Sequence, residues 1–103
     1  NDEVLSCGDL SFNKSTMELS RGSDSLKLGL KESRLMELLL NNAGRIMPKD
    51  LLIEKIWGLE SNAEYNNIEV YISFLRQKIA FLGARTQIRT IRGVGYQLEA
   101  NND

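Results

Sequence analysis

The sequence predicts an α+β domain in which a small N-terminal antiparallel four-stranded sheet (4–28) precedes three helices (30–82) and a closing β-hairpin (87–99). Three observations predict it. Apolar residues in the first quarter fall in short alternating segments separated by turn-forming residues, from residue 30 they recur at steps of three and four, and near the end alternation returns on both sides of a glycine-containing turn. With 103 residues and 42% hydrophobic content, the chain can build one modest core and not two, so 1–103 is read as one domain.

The strand segments are Val4-Leu5-Ser6-Cys7, Leu10-Ser11-Phe12, Met17-Glu18-Leu19-Ser20 and Leu26-Lys27-Leu28. Gly8-Asp9, Asn13-Lys14-Ser15 and Arg21-Gly22-Ser23-Asp24 supply turn chemistry between them, as an antiparallel meander requires. From Leu30 to Asn42, Leu35, Leu38 and Leu39 with Met36 lie on one side of a helix; Gly29 serves as its N-cap, Glu32 stands at its third position and Ala43-Gly44 stops it. A second helix is expected to start at Pro48, whose fixed φ suits a first helical position, and to bury Leu51, Leu52, Ile56 and Trp57 before Gly58. The polar, acidic stretch 58–64 reads as a loop. The third helix, 66–82, carries the strongest signal, because Ile68, Ile72, Leu75, Ile79 and Leu82 form one stripe toward the core. Opposite them, at about 100° per residue, fall Asn66, Val70, Ser73, Phe74 and Gln77, flanked by Asn67, Glu69, Tyr71 and Arg76. In the final hairpin Arg92 occupies the tip; Gly93 and Gly95 belong to its turn and not to a phosphate-binding loop, which leads into a helix.

Composition excludes much chemistry. There is no histidine and one cysteine, which removes the common zinc sets and histidine-dependent nucleophiles, so neither a metal, a cofactor nor an enzymatic reaction is expected. Cys7, in an apolar alternation, reads as a small buried hydrophobe. Glu32, Glu37, Glu54, Glu60, Glu64 and Glu69 sit at spacings of a solvated face. The longest apolar runs are too short to cross a bilayer, and Asn1-Asp2-Glu3 lacks the pattern of a signal peptide, which gives the expectation of a soluble cytoplasmic protein.

The formal net charge of −1 taken alone disfavours a polyanionic partner, but its distribution does not. Up to Phe74 there are eight Lys/Arg against twelve Asp/Glu, whereas Arg76, Lys78, Arg85, Arg89 and Arg92 follow with no acid before Glu99. Positive charge is concentrated in the last third, where the third helix ends and the hairpin begins.

The ordered set Leu28, Gly44-Arg45-Ile46, Leu51-Leu52, Ile56-Trp57-Gly58, Val70-Tyr71-Ile72-Ser73-Phe74-Leu75-Arg76-Gln77-Lys78 and Ile91-Arg92-Gly93-Val94-Gly95-Tyr96 resembles the C-terminal effector domain of OmpR/PhoB-type response regulators over nearly the whole chain. The resemblance implies a winged helix-turn-helix that binds specific double-stranded promoter DNA as the output domain of a two-component system and regulates transcription. The third helix would enter the major groove and the wing an adjacent minor groove. Asn66, Asn67 and Gln77 suit base edges, adenine in particular; Arg92 suits the negative potential of a narrow A·T-rich minor groove; Arg76, Lys78, Arg89 and Thr90 would hold phosphates. Val70, Tyr71, Ser73 and Phe74 complete the DNA-facing set. The family further implies an upstream phosphoacceptor receiver domain, a sensor histidine kinase, a dimer on DNA, and an approach to RNA polymerase through loop 58–64; this chain is accordingly expected to be the output part of a longer protein.

The sequence also departs from its family. Many members carry arginine where this chain has Phe74 and Asn66, histidine where it has Tyr71, and an aromatic residue where it has Ser33. Phe74 can touch a thymine methyl, face another protein, or pack against Tyr71 and Phe81. An alternative reading is therefore a protein-interaction winged helix with weakened or lost DNA binding, motivated by Phe74, Tyr71, Asn66 and the acidic balance.

Overall fold

The computed structural model describes residues 3–58 and 67–100. Strands β1 (Val4–Cys7), β2 (Leu10–Asn13), β3 (Glu18–Arg21) and β4 (Asp24–Lys27) form an antiparallel meander in the order β1-β2-β3-β4. Register places Leu5, Phe12, Leu19 and Leu26 in one row across the sheet. That row faces inward, with Phe12 and Leu19 fully buried and the edge residues Leu5 and Leu26 packed against them. The Asn13 carboxamide accepts the N–H groups of Ser15 and Thr16 at 2.8 and 3.1 Å, an Asx turn that sends the chain back into β3.

Helix α1 (Leu30–Asn41) starts as its sequence requires. Gly29 is the N-cap, its N–H donates to the Glu32 carboxylate at 2.7 Å, and the Ser33 N–H returns to the Gly29 carbonyl at 2.8 Å. Glu32 is nonetheless buried rather than solvated, because Lys78 reaches across from the third helix and donates to it at 2.6 Å. The ammonium and the capping N–H compensate the desolvation of the carboxylate. Leu35, Met36, Leu39 and Leu40 form the inward face, and the Ser33 hydroxyl beside them is buried without a partner.

A short strand β5 (Ile46–Pro48) follows, which the sequence reading did not anticipate. Three residues ending in proline carry no strand signal of their own; this one exists because the C-terminal hairpin pairs with it. Pro48 is accordingly the N-cap of α2 (Lys49–Trp57) and not its first helical residue. The helix buries Leu52, Ile53 and Ile56, while Leu51 faces outward and Trp57 is half-buried. The run 51–53 fits either of two helix rotations, and docking against α1 selects the one that turns Ile53 inward.

Helix α3 (Asn67–Leu82) buries its whole predicted stripe, Ile68, Ile72, Leu75, Ile79 and Leu82. Strands β6 (Gln87–Ile91) and β7 (Gly95–Glu99) then form the hairpin, and β5 joins β7 to make a three-stranded sheet in the order β5-β7-β6. Gly95 opposes Pro48 so closely that an added Cβ would collide with the Met47 carbonyl oxygen, which makes glycine obligatory there. Ile88, Tyr96 and Leu98 close the core from this side. Burial of each such side chain stabilises the fold by about 1.5–3 kcal/mol.

The two sheets are tied together behind α3 by Asp9. Its carboxylate accepts the backbone N–H groups of Arg85 and Thr86 at 2.8 and 3.1 Å, the Thr86 hydroxyl at 2.9 Å and the Arg21 guanidinium at 3.3 Å. Desolvation pushes this carboxyl up, but those hydrogen bonds outweigh it and hold its pKa down at about 2. The same Arg21 reaches the Leu82 carbonyl at the end of α3. Neighbouring Cys7 is half-buried rather than fully enclosed, and desolvation, with the Asp9 charge second, pushes its thiol up. Among the described residues, no helix is long and apolar enough to cross a membrane.

Candidate nucleic-acid interface

With the inner stripe of α3 buried, the residues a third to half a turn away stay outside. Val70 and Phe74, 45% and 42% exposed, stand one turn apart with Ser73 and Gln77 beside them, all uncharged. Tyr71 is half-buried below this face and supports it. Its ring meets Phe74 edge-on at 5.9 Å and Trp57 at 5.8 Å, and the Lys31 ammonium lies 5.4 Å from the Trp57 ring centre. Phe74 therefore packs on Tyr71. Phe81, the other neighbour considered from sequence, is 80% exposed further along the helix and makes no ring contact with it.

The basic residues are placed differently from what charge alone suggests. Arg76 turns toward the hairpin, where Nε and Nη2 donate to the Ile88 carbonyl at 3.1 and 2.9 Å and Nη2 donates to the Thr90 hydroxyl at 2.7 Å. A planar guanidinium presents parallel donors that one carbonyl and one hydroxyl can satisfy together, so Arg76 locks the angle between α3 and β6. Lys78 points the other way, to Glu32 under α1, and so lies apart from the outward face. Arg89 pairs with Glu99 across the hairpin at 3.0 Å, with both side chains exposed. Arg92 is exposed at the hairpin tip, where the Val94 N–H donates to the Ile91 carbonyl at 3.0 Å and Gly93 takes a φ of 76° that a side chain would oppose.

Of the residues singled out in the sequence, the structure thus groups Val70, Ser73, Phe74 and Gln77 on one open face, sets Tyr71 beneath them, joins Arg76 to Thr90 at the helix–hairpin junction, and leaves Arg89 and Arg92 on the hairpin. Asn66, the Asn67 side chain and loop positions 59–64 lie outside the described residues. Sequence reasoning missed Lys49. Its backbone N–H donates to the Val94 carbonyl at 2.9 Å and its ammonium to Glu69 at 2.9 Å, so it binds α2, α3 and the hairpin tip to one another. The available signal was its place directly after Pro48, where an unpaired helix N–H needs an acceptor. Among the described residues, no cluster of His, Cys, Asp or Glu is arranged to hold a metal ion.

Residues 23–98 match the family described as "Transcriptional regulatory protein, C terminal". The chain belongs to this family. It is an effector domain of the OmpR/PhoB type, with α3 as third helix and the β6–β7 hairpin as wing. It is 47% identical over 95 residues to the transcriptional regulatory protein DltR of Streptococcus agalactiae, covering 92% of this chain and 42% of that protein. To the phosphate regulon transcriptional regulatory protein PhoB of Rhizobium meliloti it is 33% identical over 97 residues, 94% of this chain and 43% of that one. The effector domain therefore spans about two fifths of the length of these curated relatives. Among solved structures, the DNA-binding domain of Klebsiella pneumoniae RstA in complex with the RstA box superposes with a TM-score of 0.77 at 25% identity, covering 94% of this chain and 97% of that one. The C-terminal domain of the nisin resistance regulator NsrR gives a TM-score of 0.77 at 30% identity, covering 91% and 94%.

Proposed function

We propose that this domain reads double-stranded promoter DNA as the output module of a two-component transcriptional response regulator, with α3 in the major groove and Arg92 of the wing in the adjacent minor groove. The observation that carries the reading is the Arg76 bridge: it fixes the wing relative to α3 while the outer face of the helix is left uncovered. A helix and a hairpin held at a set angle can engage two adjacent grooves at once without first being ordered. The RstA domain, caught on its DNA box, has the same fold.

In this scheme Asn66, Asn67, Val70, Ser73, Phe74 and Gln77 meet base edges, Tyr71 backs Phe74, and Arg89, Thr90 and the outer edge of Arg76 border the phosphates. Lys78, held by Glu32, braces α3 against α1. The parent protein would carry a phosphoacceptor receiver domain addressed by a sensor histidine kinase, dimerise on DNA, work in the cytoplasm and approach RNA polymerase through 58–64. The domain itself needs no catalytic residue for this work.

The test is selection of bound sequences from random duplexes, followed by affinity measurement across a salt series. The reading expects an enriched half-site and a log–log salt slope of about −0.9 for each phosphate neutralised. A folded sample that enriches nothing and binds DNA without salt dependence overturns it and leaves Tyr71 and Phe74 as a face for a protein partner.

A further inference from the structure

The outward face of α3 carries an aromatic side chain in the middle of the proposed base-reading surface, and its surroundings fix what it can recognise. Phe74 is held edge-on by Tyr71, which Trp57 braces in turn, so the exposed part of its ring is positioned before any ligand arrives. Val70 stands one turn earlier on the same face. Arg76 is engaged on the wing and Lys78 on Glu32, Lys31 lies over the Trp57 ring, and Ser73 and Gln77 are neutral. In the major groove a guanine presents two acceptors and calls for an arginine or lysine, whereas thymine alone presents a methyl group.

We infer that Phe74, with Val70 beside it, is a specificity-determining residue that selects a thymine by contact with its C5-methyl group. The inference rests on the DNA-binding reading and narrows it to sites with thymine in the major groove opposite the middle of α3. An apolar contact with another protein is the competing use of the same atoms. Two side chains and their rims fall far short of the roughly 800 Å² that each partner contributes to a stable protein interface, while one methyl group is matched in size to them.

The experiment starts from the site selected by the folded domain and replaces each thymine, one at a time, by deoxyuridine, which removes only the methyl group and leaves pairing intact. Affinity is read by fluorescence anisotropy. One thymine, or two adjacent ones, is expected to lose about fourfold on replacement, the worth of one buried methyl group. In Phe74→Ala the same replacement is expected to have no further effect, and Phe74→Leu, which keeps an apolar contact, retains most of the sensitivity. Phe74→Arg is expected to move the preferred base at that position from thymine to guanine, checked by repeating the selection. Specific, salt-dependent DNA binding that is indifferent to deoxyuridine at every thymine overturns the inference and leaves the DNA-binding reading standing; so does a methyl effect that persists undiminished in Phe74→Ala. Loss of all DNA binding by the unaltered domain removes the parent reading and this one with it.

Discussion

On the inner side of α3, Ile68, Ile72, Leu75, Ile79 and Leu82 are at most 4% exposed, whereas Val70 and Phe74 on the outer side of the same helix are 45% and 42% exposed. Seven apolar side chains on one element thus have two fates, and apolarity does not decide which. Position in the 3.6-residue repeat does. The inner five meet α1, the front sheet and the hairpin and exclude water; the outer two stay open to water, with Phe74 resting edge-on on Tyr71. Neighbouring residues 74 and 75 offer the sharpest contrast. Leu75→Ala is expected to cost about 3–4 kcal/mol through lost transfer energy and a residual cavity, and to lower Tm by roughly 15 °C or more, whereas Phe74→Ala costs less than about 1 kcal/mol. Thermal unfolding of the two variants measures the difference directly. Equal losses would show that the outer face is packed like the inner one and would end its role as an open reading surface.

The contrast extends to the polar residues. Arg76 and Asp9 are satisfied by backbone groups far away in sequence and act as joints between elements; the uncharged outer face of α3 has no such obligations. Arg76→Ala removes the junction between α3 and β6 and is expected to cost about 1–2 kcal/mol of stability, leaving the Ile88 carbonyl to water. Arg76→Lys recovers only part of this, since a lysine ammonium lacks the planar fork whose fixed donors meet the Ile88 carbonyl and the Thr90 hydroxyl together. The diagnostic reading is hydrogen exchange at the hairpin amides, which should accelerate in the alanine variant while those of α1 stay protected. Uniform acceleration throughout would mean that Arg76 contributes to global stability and does not specifically hold the wing.

At the opposite end of the domain, Asp9 titrates at about 2 when folded, against 3.8 for the free side chain. A depressed carboxyl pKa stabilises the native state fully above the unfolded value, and that contribution is lost as pH falls from about 4 toward 2. With the carboxylate 29% exposed, its worth is on the order of 1 kcal/mol. Urea midpoints measured between pH 2 and 6 should therefore fall on the acid side, and Asp9→Asn should lower the plateau and flatten that part of the limb. An unchanged acid limb in the variant would assign the pH dependence to other carboxylates and reduce the Asp9 joint to a geometric contact.

Much of this was legible in the sequence, and the exceptions share one physical reason. The α3 stripe, the Gly29 and Glu32 cap of α1 and the four-strand meander are local patterns: period, cap spacing and turn residues lie within a few positions of one another. Strand β5 was not legible because its hydrogen bonds belong to β7, about fifty residues later. Glu32 reads as part of a solvated face because its partner Lys78 sits on another helix, and Leu51 reads as inward in place of Ile53 because three consecutive apolar residues fit two rotations. The open face was found for the same reason that the core was, as the complement of a clear stripe. Arg76 and Lys78 read as phosphate contacts because a basic residue near a basic hairpin suggests one until the carbonyl or carboxylate that occupies it is seen, and Lys49 gives no such signal at all.

Arg92 is the residue on which the two kinds of position separate most cleanly. It lies exposed at the wing tip, beyond the Arg76 junction and away from the core, so Arg92→Ala should leave Tm unchanged to within about 0.5 kcal/mol of stability. Its guanidinium suits the concentrated negative potential of a narrow A·T-rich minor groove, and its loss should weaken DNA binding roughly fivefold while relaxing the A·T preference at one edge of the selected site. The size of the loss depends on whether the wing is already aimed. Because the Gly93 turn, the hydrogen bond from the Lys49 N–H to the Val94 carbonyl and the Arg76 bridge fix the tip before binding, little ordering cost is hidden in the measured affinity, and the loss should fall mainly on the dissociation rate. A change confined to the association rate and abolished by salt would instead make Arg92 a steering charge that never enters the groove, and the wing would then serve to orient α3 and not to read sequence.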